Sequence, residues 1–271
     1  MMKNFELSAG DIIISHFTDN MLTDSLDVSH CHDSYEILYI ASGEGDFHIE
    51  GSSFPFNSGS ILVINPLEYH SIELNDITEE KSYERYAIQF SDKHLSDEVI
   101  SLLKSLLRGE GVSGKYYSSV TLSDAVLPVF ERFEYASILP EEERKVYFKI
   151  LISELIVLLS AFAGERMVHE QTELGARVIK YLNENFLRNI SLDKLARKFF
   201  VSKYYLCRAF KKHNGISVHG YINKKRIMYA KSLIESGESA SGAAYKVGFG
   251  DYSAFYRAYV KITGKAPTAE K

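Results

Sequence analysis

Short apolar runs separated by turn residues fill the first ninety residues of the chain. Each run has five or six residues and is rich in β-branched and aromatic side chains, which favours strands over helices. Turns rich in Gly, Ser, Asn and Pro lie between the runs. The pattern predicts an antiparallel barrel or jelly roll over residues 1–92, with strands at 11–15, 35–40, 45–49, 60–64 and 85–90.

The spacing of apolar residues becomes helical from residue 91 onward. Leu95, Val99, Leu102 and Leu106 begin a first helix that ends before Gly109. A second helix is predicted over about 122–136, and a third from 141 to the stop at Gly164. This helical segment, 93–165, covers the barrel or pairs two subunits, because residues 150–162 are apolar on more than one side. A polar linker is expected at 166–172.

One pattern occurs twice between residues 191 and 267. The first copy reads LARKFFVS, then LCRAFKK, and ends at Gly215; the second reads AAYKVGFGD, then FYRAYVK, and ends at Gly264. The copies are offset by 48 residues before the turn and by 49 after it. Each copy has the form of a short helix, a tight turn, a second helix and a glycine stop, which is typical of a helix-turn-helix.

These two units, at 191–213 and 239–263, have a legible internal design. Ser202 and Asp251 precede the second helix of each unit, where a short oxygen-bearing side chain caps free backbone donors. A connector helix at 217–236 joins the units and is about 30 Å long at 1.5 Å per residue. That length suits two helices that enter successive turns of one DNA groove, which are about 34 Å apart.

The outward face of each second helix carries bases and hydrogen-bonding groups. Arg208 and Arg257 are predicted to contact guanine edges, and the lysines are predicted to hold phosphates, together with the basic run at 224–226 on the connector. The predicted DNA-binding residues are Ser202, Lys203, Tyr204, Cys207, Arg208, Lys211, Lys212, Lys224, Lys225, Tyr252, Ser253, Tyr256, Arg257 and Lys261.

Charge is divided unevenly along the chain. Residues 170–271 hold 19 Lys and Arg against 8 Asp and Glu, whereas residues 1–169 hold 12 against 28. A basic module joined to an acidic one is expected when one half meets a polyanion. Two cysteines, a start without a signal peptide and no apolar run of membrane-spanning length indicate a cytoplasmic protein that does not contact a membrane.

Histidines and a carboxylate cluster at the start of the predicted strand 35–40. His30 and His32 alternate along the chain, so their side chains point to one face, and Glu36 and His70 could complete a cage of three imidazoles and one carboxylate. Such a cage could hold a divalent transition metal, or the four groups could line a pocket without metal. With Tyr39, Phe47 and Tyr69 they form the predicted effector site, for which a sugar or an organic acid would suit.

The last hundred residues resemble the DNA-binding domain of the AraC/XylS family of bacterial regulators. SLDKLARKFFVSKYYLCRAFKKHNGIS, KKRIMYAKSLI and AAYKVGFGDYSAFYRAYVKITGKAP carry the resemblance. Spacing around His30, His32, Glu36 and Gly43 is similar to the first cupin metal motif, and the stretch from Gly59 to His70 resembles the second. The resemblance implies a cupin-type effector domain, helices that pair two subunits, and a double helix-turn-helix.

An α+β chain of this design is predicted to be a sequence-specific transcription regulator, and most simply an effector-responsive activator. Double-stranded DNA, a small-molecule effector, a second copy of the chain and RNA polymerase are the expected partners. A cupin metalloenzyme with a DNA-binding tail is the alternative from another class, and it requires a stoichiometric metal. A nucleoid protein that binds DNA without sequence preference is a third interpretation.

Overall fold

The computed structural model describes residues 4–19, 30–50, 52–75, 83–107, 114–118, 120–162 and 174–268. The chain divides into two compact units: residues 1–30, 34–49 and 53–169 form the first, and residues 31–33, 50–52 and 170–271 form the second. The linker predicted at 166–172 lies outside the described residues.

Strands of the first unit form two antiparallel sheets. The larger sheet has the order β1-β2-β8-β3-β6-β9, and the smaller has the order β5-β4-β7. Five strands occupy the predicted positions, and β1, β5, β7 and β9 are additional. The strands are β1 (Phe5–Ala9), β2 (Ile12–Asp19), β3 (Tyr35–Ser42), β4 (Gly45–Ile49), β5 (Ser52–Phe56), β6 (Ile61–Ile64), β7 (His70–Leu74), β8 (Tyr83–Phe90) and β9 (Lys115–Tyr117).

The larger sheet separates two apolar clusters. One cluster draws Leu38 and Ile40 of β3 together with Phe47 and Ile72 of the smaller sheet, so it fills the interior between the sheets. The other cluster draws the alternate β3 residues together with apolar residues of the helices that follow. Because side chains alternate across a strand, β3 contributes to both clusters, and the two-sheet shell predicted from the sequence is confirmed.

Three helices of the first unit cover the outer face of the larger sheet: α1 (Asp97–Leu107), α2 (Val120–Tyr135) and α3 (Glu141–Ala161). Helix α3 begins after Pro140 with three glutamates in its first turn, where the helix dipole favours acidic groups. Its buried residues recur at helical spacing from Phe148 to Leu159. These helices were predicted close to their observed bounds, although the first begins two residues after Leu95.

The second unit is helical apart from its two short segments from the N-terminal half of the chain. Its helices are α4 (Leu174–Asn185), α5 (Leu192–Lys198), α6 (Lys203–Asn214), α7 (Val218–Glu235), α8 (Ala240–Lys246) and α9 (Tyr252–Thr263). Helix α7 is the predicted connector. It contributes Ile227, Ala230 and Ile234 to the core that it shares with α8 and α9, and it also packs against α6.

No helix in the described part of the chain combines the length and the hydropathy that a bilayer crossing requires.

Candidate DNA interface and ligand site

The two sequence copies form the same structural unit. Helices α5 and α8 have seven residues each, and α6 and α9 have twelve. The side chain of Ser202 accepts a hydrogen bond from the Tyr205 amide, and that of Asp251 accepts from the amides of Ser253 and Ala254. Both predicted caps are therefore confirmed, and each unit fixes the start of its second helix.

Both units end their second helix as the sequence predicts. Gly215 and Gly264 adopt left-handed backbone conformations, with φ of 71° and 75°, and their amides donate to carbonyls in the preceding turn. On the inner faces, Leu206 and Phe210 of α6 and Phe255 of α9 are fully buried. Each helix is thus held from one side, and its other side is left for solvent or a partner.

Most of the predicted DNA-contacting residues lie on the surface. On α6, the exposed residues include Arg208, and Tyr204 is 77% exposed. On α9, Tyr252 and Tyr256 are each 42% exposed, and Arg257 is exposed as well. Cys207 is half-buried. The remaining exposed members of the predicted set are Ser202, Lys203, Lys211, Lys212, Ser253 and Lys261.

The connector differs from the prediction at two of its three basic residues. Lys224 is half-buried. Lys225 is buried, and its Nζ lies 2.8 Å from Oε1 of Glu50, a carboxylate that belongs to the same compact unit. The ammonium is therefore used inside the unit and does not face solvent, contrary to the expected phosphate contact.

Glu50 has further partners in this buried cluster. Its Oε2 accepts from the Asn183 amide and from the Tyr221 hydroxyl. The Tyr221 hydroxyl also lies 2.6 Å from Oδ1 of Asn183. Buried charges are expected to be paired and hydrogen-bonded in this way, because an isolated buried ion is costly.

Arg226 also departs from the expected phosphate contact. Its guanidinium donates to three backbone carbonyls: Nε to Phe186 at 2.7 Å, Nη2 to Arg188 at 2.7 Å and Nη1 to Gly248 at 2.9 Å. Burial lowers the pKa of the Arg226 guanidinium from its ordinary value. The connector is enclosed by other helices on several sides, and this is why cations on it meet protein oxygens.

Two of the predicted metal ligands, Glu36 and His70, lie side by side in the first unit. Glu36 and His70 are 5% and 3% exposed, and Oε2 of Glu36 lies 3.0 Å from Nε2 of His70. His30 is exposed and joins by its backbone, which pairs with His70, and by a ring contact of 4.4 Å.

A backbone hydrogen bond fixes which ring nitrogen of His70 faces Glu36. Nδ1 lies 2.9 Å from the backbone carbonyl of Glu68. A carbonyl can only accept, so Nδ1 carries a proton, and a neutral His70 therefore presents a lone pair at Nε2. That lone pair would face the Glu36 carboxylate at 3.0 Å. The contact requires a proton or another positive centre between the two atoms.

Aromatic residues of the predicted effector site divide between two faces of the sheet. Phe47 is buried in the interior, and its ring stacks on His70 at 6.3 Å. Tyr69 is buried. Tyr39 lies on the opposite face, where its hydroxyl is 3.0 Å from Ser123 Oγ and its ring stacks on Phe130. The assignment of Tyr39 to the effector site is not supported, because an odd separation from Glu36 places the two side chains on opposite faces.

Strand β8 contributes polar residues that the sequence reading missed. Nε2 of Gln89 donates to Glu36 at 3.3 Å. Burial raises the pKa of the Tyr83 hydroxyl to about 12, and Arg85 hydrogen-bonds to that hydroxyl. Residues 83, 85, 87 and 89 alternate with core residues that face the helices. Glu36 of β3 pairs directly with Gln89 of β8. Alternation within one strand does not reveal which residue lies opposite on the next strand, so the sequence alone could not place Gln89 beside Glu36.

Comparisons with known proteins agree with both halves of this arrangement. A family model described as an AraC-like ligand binding domain matches residues 19–110, and one described as a helix-turn-helix domain matches residues 195–270. These matches identify the chain as a DNA-binding transcription regulator with a ligand-binding domain. The chain belongs to the AraC family.

The chain aligns with named regulators over most of its length. The chain is 26% identical over 230 residues to the HTH-type transcriptional regulator YbfI of Bacillus subtilis, covering 83% of this chain and 80% of the relative. It is 24% identical over 234 residues to the HTH-type transcriptional activator RhaS of an Enterobacter species, covering 83% and 81%. The crystal structure of ToxT from Vibrio cholerae aligns with 96% of each chain at 17% identity and a TM-score of 0.35.

Proposed function

We propose that this regulator is an effector-responsive activator that reads a two-part DNA site with α6 and α9. The observation that carries the proposal is the matched pair of capped helices, each buried on one face and polar on the other. RhaS, a relative at 24% identity, is named an activator. Promoter DNA as the target places the proposed activity in the cytoplasm, with RNA polymerase as the partner to be recruited.

In this proposal the arginines read bases and the lysines hold the backbone. Arg208 and Arg257 are exposed on α6 and α9, and a guanidinium can bond to both acceptors of a guanine edge. Lys211, Lys212 and Lys261 are exposed beside them and would contact phosphates. Lys225 is excluded from this role, because its ammonium is buried against Glu50.

Selection of bound duplexes from a random pool by the full chain tests the proposal. We expect a site with two conserved blocks about one helical turn apart. Binding that is equal on selected and random DNA would refute sequence-specific recognition and favour the nucleoid interpretation.

We further propose that the effector binds in the interior of the sheet shell, beside Glu36, His70 and Gln89. A carboxylate, an imidazole and an amide converge there, with Phe47 stacked alongside. A few converging polar groups in an otherwise apolar interior are typical of small-molecule sites. These groups suit the hydroxyls of a sugar, and Arg85 on the same strand face would suit an organic acid.

Thermal unfolding of the full chain with a panel of sugars and organic acids tests this site. A ligand at about 100 times its Kd stabilises by about 2.7 kcal/mol, and Glu36→Gln should abolish the shift. Tyr39→Phe is the matched control, since Tyr39 faces helix α2 on the other side of the sheet. A ligand that shifts wild type and Glu36→Gln equally would bind elsewhere.

A divalent transition metal held by Glu36 and His70 is the cofactor we propose for this site. Glu36 Oε2 and His70 Nε2 lie 3.0 Å apart, and a carboxylate and an imidazole are both ordinary ligands of such metals. The metal would supply a Lewis-acidic anchor for an oxygen of the effector.

Calorimetric titration of the full chain with Zn²⁺, Ni²⁺ or Mn²⁺ tests the metal, with binding heat as the readout. One site per chain is expected, and His70→Ala should remove it. His48→Ala is the control, because His48 and Glu73 form a similar pair with a 3.0 Å contact that is exposed. No metal uptake by the folded wild type, or equal uptake by both variants, refutes the proposed site.

Helix α3 is the surface we propose for pairing two copies of the chain. One face carries the buried residues that pack on α1 and α2, and Val146, Ile150 and Val157 lie 58%, 56% and 49% exposed on another. Helical spacing places these three residues in one stripe. An apolar stripe of this kind is typical of a self-association surface.

Sedimentation of the full chain tests the pairing. Ile150→Glu is expected to yield monomers at concentrations where the wild type is dimeric. Leu102→Glu makes the same change at an exposed apolar residue of α1 and should leave the dimer intact. A monomeric wild type, or equal dissociation by both variants, would refute α3 as the interface.

A further inference from the structure

Arg226 joins three separate segments of the second unit through one side chain. Phe186 and Arg188 lie just beyond the C-terminal end of α4, whereas Gly248 lies in the turn between α8 and α9. Each of the three guanidinium nitrogens donates to one of these carbonyls, at 2.7–2.9 Å. Arg226 itself is on the connector α7. These three hydrogen bonds, here called the bracket, therefore fix the turn of the second helix-turn-helix relative to both α7 and α4.

The bracket requires a close approach that only glycine permits. Gly248 has φ of +81°, and a Cβ added there would lie 2.9 Å from the Leu187 carbonyl oxygen and 3.2 Å from Arg226 Nη2. The contact therefore brings the turn directly against the chain that follows α4. Helix α4 packs on α6, the second helix of the first helix-turn-helix. A continuous path of contacts thus leads from α6 through α4 and Arg226 to the turn that begins α9.

The first helix-turn-helix shows that the turn itself does not need such a bracket. Phe200 is the residue that corresponds to Gly248, and it makes the same left-handed turn, with φ of 56°. Backbone hydrogen bonds around the two turns correspond residue by residue. The Phe200 side chain is 94% exposed, however, and so this turn faces solvent. The Arg226 contacts therefore position the second helix-turn-helix and are not needed for the local fold of its turn.

We propose that Arg226 is a positioning residue that sets the offset between α6 and α9, and thereby the spacing of the two DNA blocks that the regulator accepts. The inference rests on the proposed reading of DNA by both helices. One base pair advances the duplex by about 3.4 Å, and a site of fixed spacing rewards two helices whose offset is held within that distance. Without the bracket, the second helix-turn-helix can adjust to several spacings between the two DNA blocks.

Spacing variants of a selected duplex test this proposal with the full chain. The two blocks are moved apart or together by one and two base pairs, and affinities are measured by fluorescence anisotropy at one fixed salt concentration. The wild type should lose at least about tenfold in affinity per step, a change of about 1.4 kcal/mol. Arg226→Gln should bind all spacings within about threefold of one another, with single-block affinity unchanged.

Two further variants separate positioning from charge and from misfolding. Arg226→Lys keeps the positive charge, but its single nitrogen cannot reach three carbonyls, so it should flatten the spacing profile in the same way and serves where Arg226→Gln fails to fold. Arg197→Gln removes an exposed charge whose Nε hydrogen bond stays within α5, to the Asp193 carbonyl, and should keep the wild-type profile.

The outcomes separate the role of Arg226 from the proposed reading of DNA by both helices. A wild-type spacing profile in Arg226→Lys, or a loss by the same factor at every spacing, overturns the role of Arg226 and leaves two-block reading intact. A wild type that binds single blocks as tightly as paired blocks overturns the proposed DNA reading itself.

Discussion

Replacing Lys225 by Met is expected to destabilise the second unit by about 3 kcal/mol, in the lower part of the range measured when one partner of a buried ion pair is removed. Lys225 is 6% exposed and Glu50 is 3% exposed, so the carboxylate left behind cannot reach water without local opening. Asn183 and Tyr221 still hydrogen-bond to that carboxylate, which is the reason for the lower figure.

A second substitution, Glu50→Gln, is expected to change stability in the opposite direction when it is added to Lys225→Met. Glu50→Gln removes the uncompensated charge and keeps a side chain that Asn183 and Tyr221 can contact. The double variant Lys225→Met with Glu50→Gln should therefore be more stable than Lys225→Met alone, although it carries more substitutions. Lys224→Met is the matched control for loss of one positive charge on the same helix, and Lys224 is only half-buried.

Urea unfolding of the full chain, followed by circular dichroism at 222 nm, measures these differences because the second unit is mainly helical. The chain has no Trp, so intrinsic Trp fluorescence offers no competing probe. Equal effects of Lys225→Met and Lys224→Met, or a double variant less stable than Lys225→Met, would contradict a buried, paired carboxylate at Glu50.

Three other predictions follow from single residues. Burial raises the pKa of Tyr83 to about 12, whereas the unfolded value is near 10, so the neutral hydroxyl stabilises the fold below pH 10 and about 3 kcal/mol of stability is lost as the pH rises through 12. Tyr83→Phe should flatten this alkaline loss of stability in urea titrations. An unchanged slope of stability against pH would contradict the assignment. Phe200→Gly should stabilise by about 1 kcal/mol, because left-handed backbone costs about 1–2 kcal/mol without glycine and the ring is 94% exposed; a lower melting temperature would show that the ring has a packing role. Arg208→Ala should weaken binding to selected DNA about 10–100-fold, with little change in binding to random DNA. Lys212→Ala should weaken binding to both and reduce the slope of log affinity against log salt by about one. Identical behaviour of the two variants would remove the distinction between base and phosphate contacts.

Local signals predicted the second unit well because its chemistry repeats at short range. Caps at Ser202 and Asp251 and glycine stops at 215 and 264 depend on neighbours within five residues, and each is found as predicted. Helix α4 was missed, although Val178, Ile179 and Leu182 are all buried on it. Its start lies beside the polar stretch that was interpreted as linker.

Tertiary partners explain the remaining differences. Lys225 and Arg226 follow Lys224 in an ordinary basic run, and the sequence does not reveal that α7 is enclosed by α6, α8 and α9. A cation in such surroundings pairs with Glu50 or with backbone carbonyls, depending on contacts from distant parts of the sequence. Strand alternation, applied strictly, would have separated Tyr39 from Glu36 in advance.

Strand β3 is a partition only one residue thick. Glu36 projects toward the interior where the effector is proposed to bind, and Tyr39, three residues along, is hydrogen-bonded through its hydroxyl to Ser123 on α2. A twist or a slide of this strand therefore cannot alter one compartment without pulling on the other. An effector bound at the proposed interior site is therefore expected to act on the outer helices through β3 and its contact with α2.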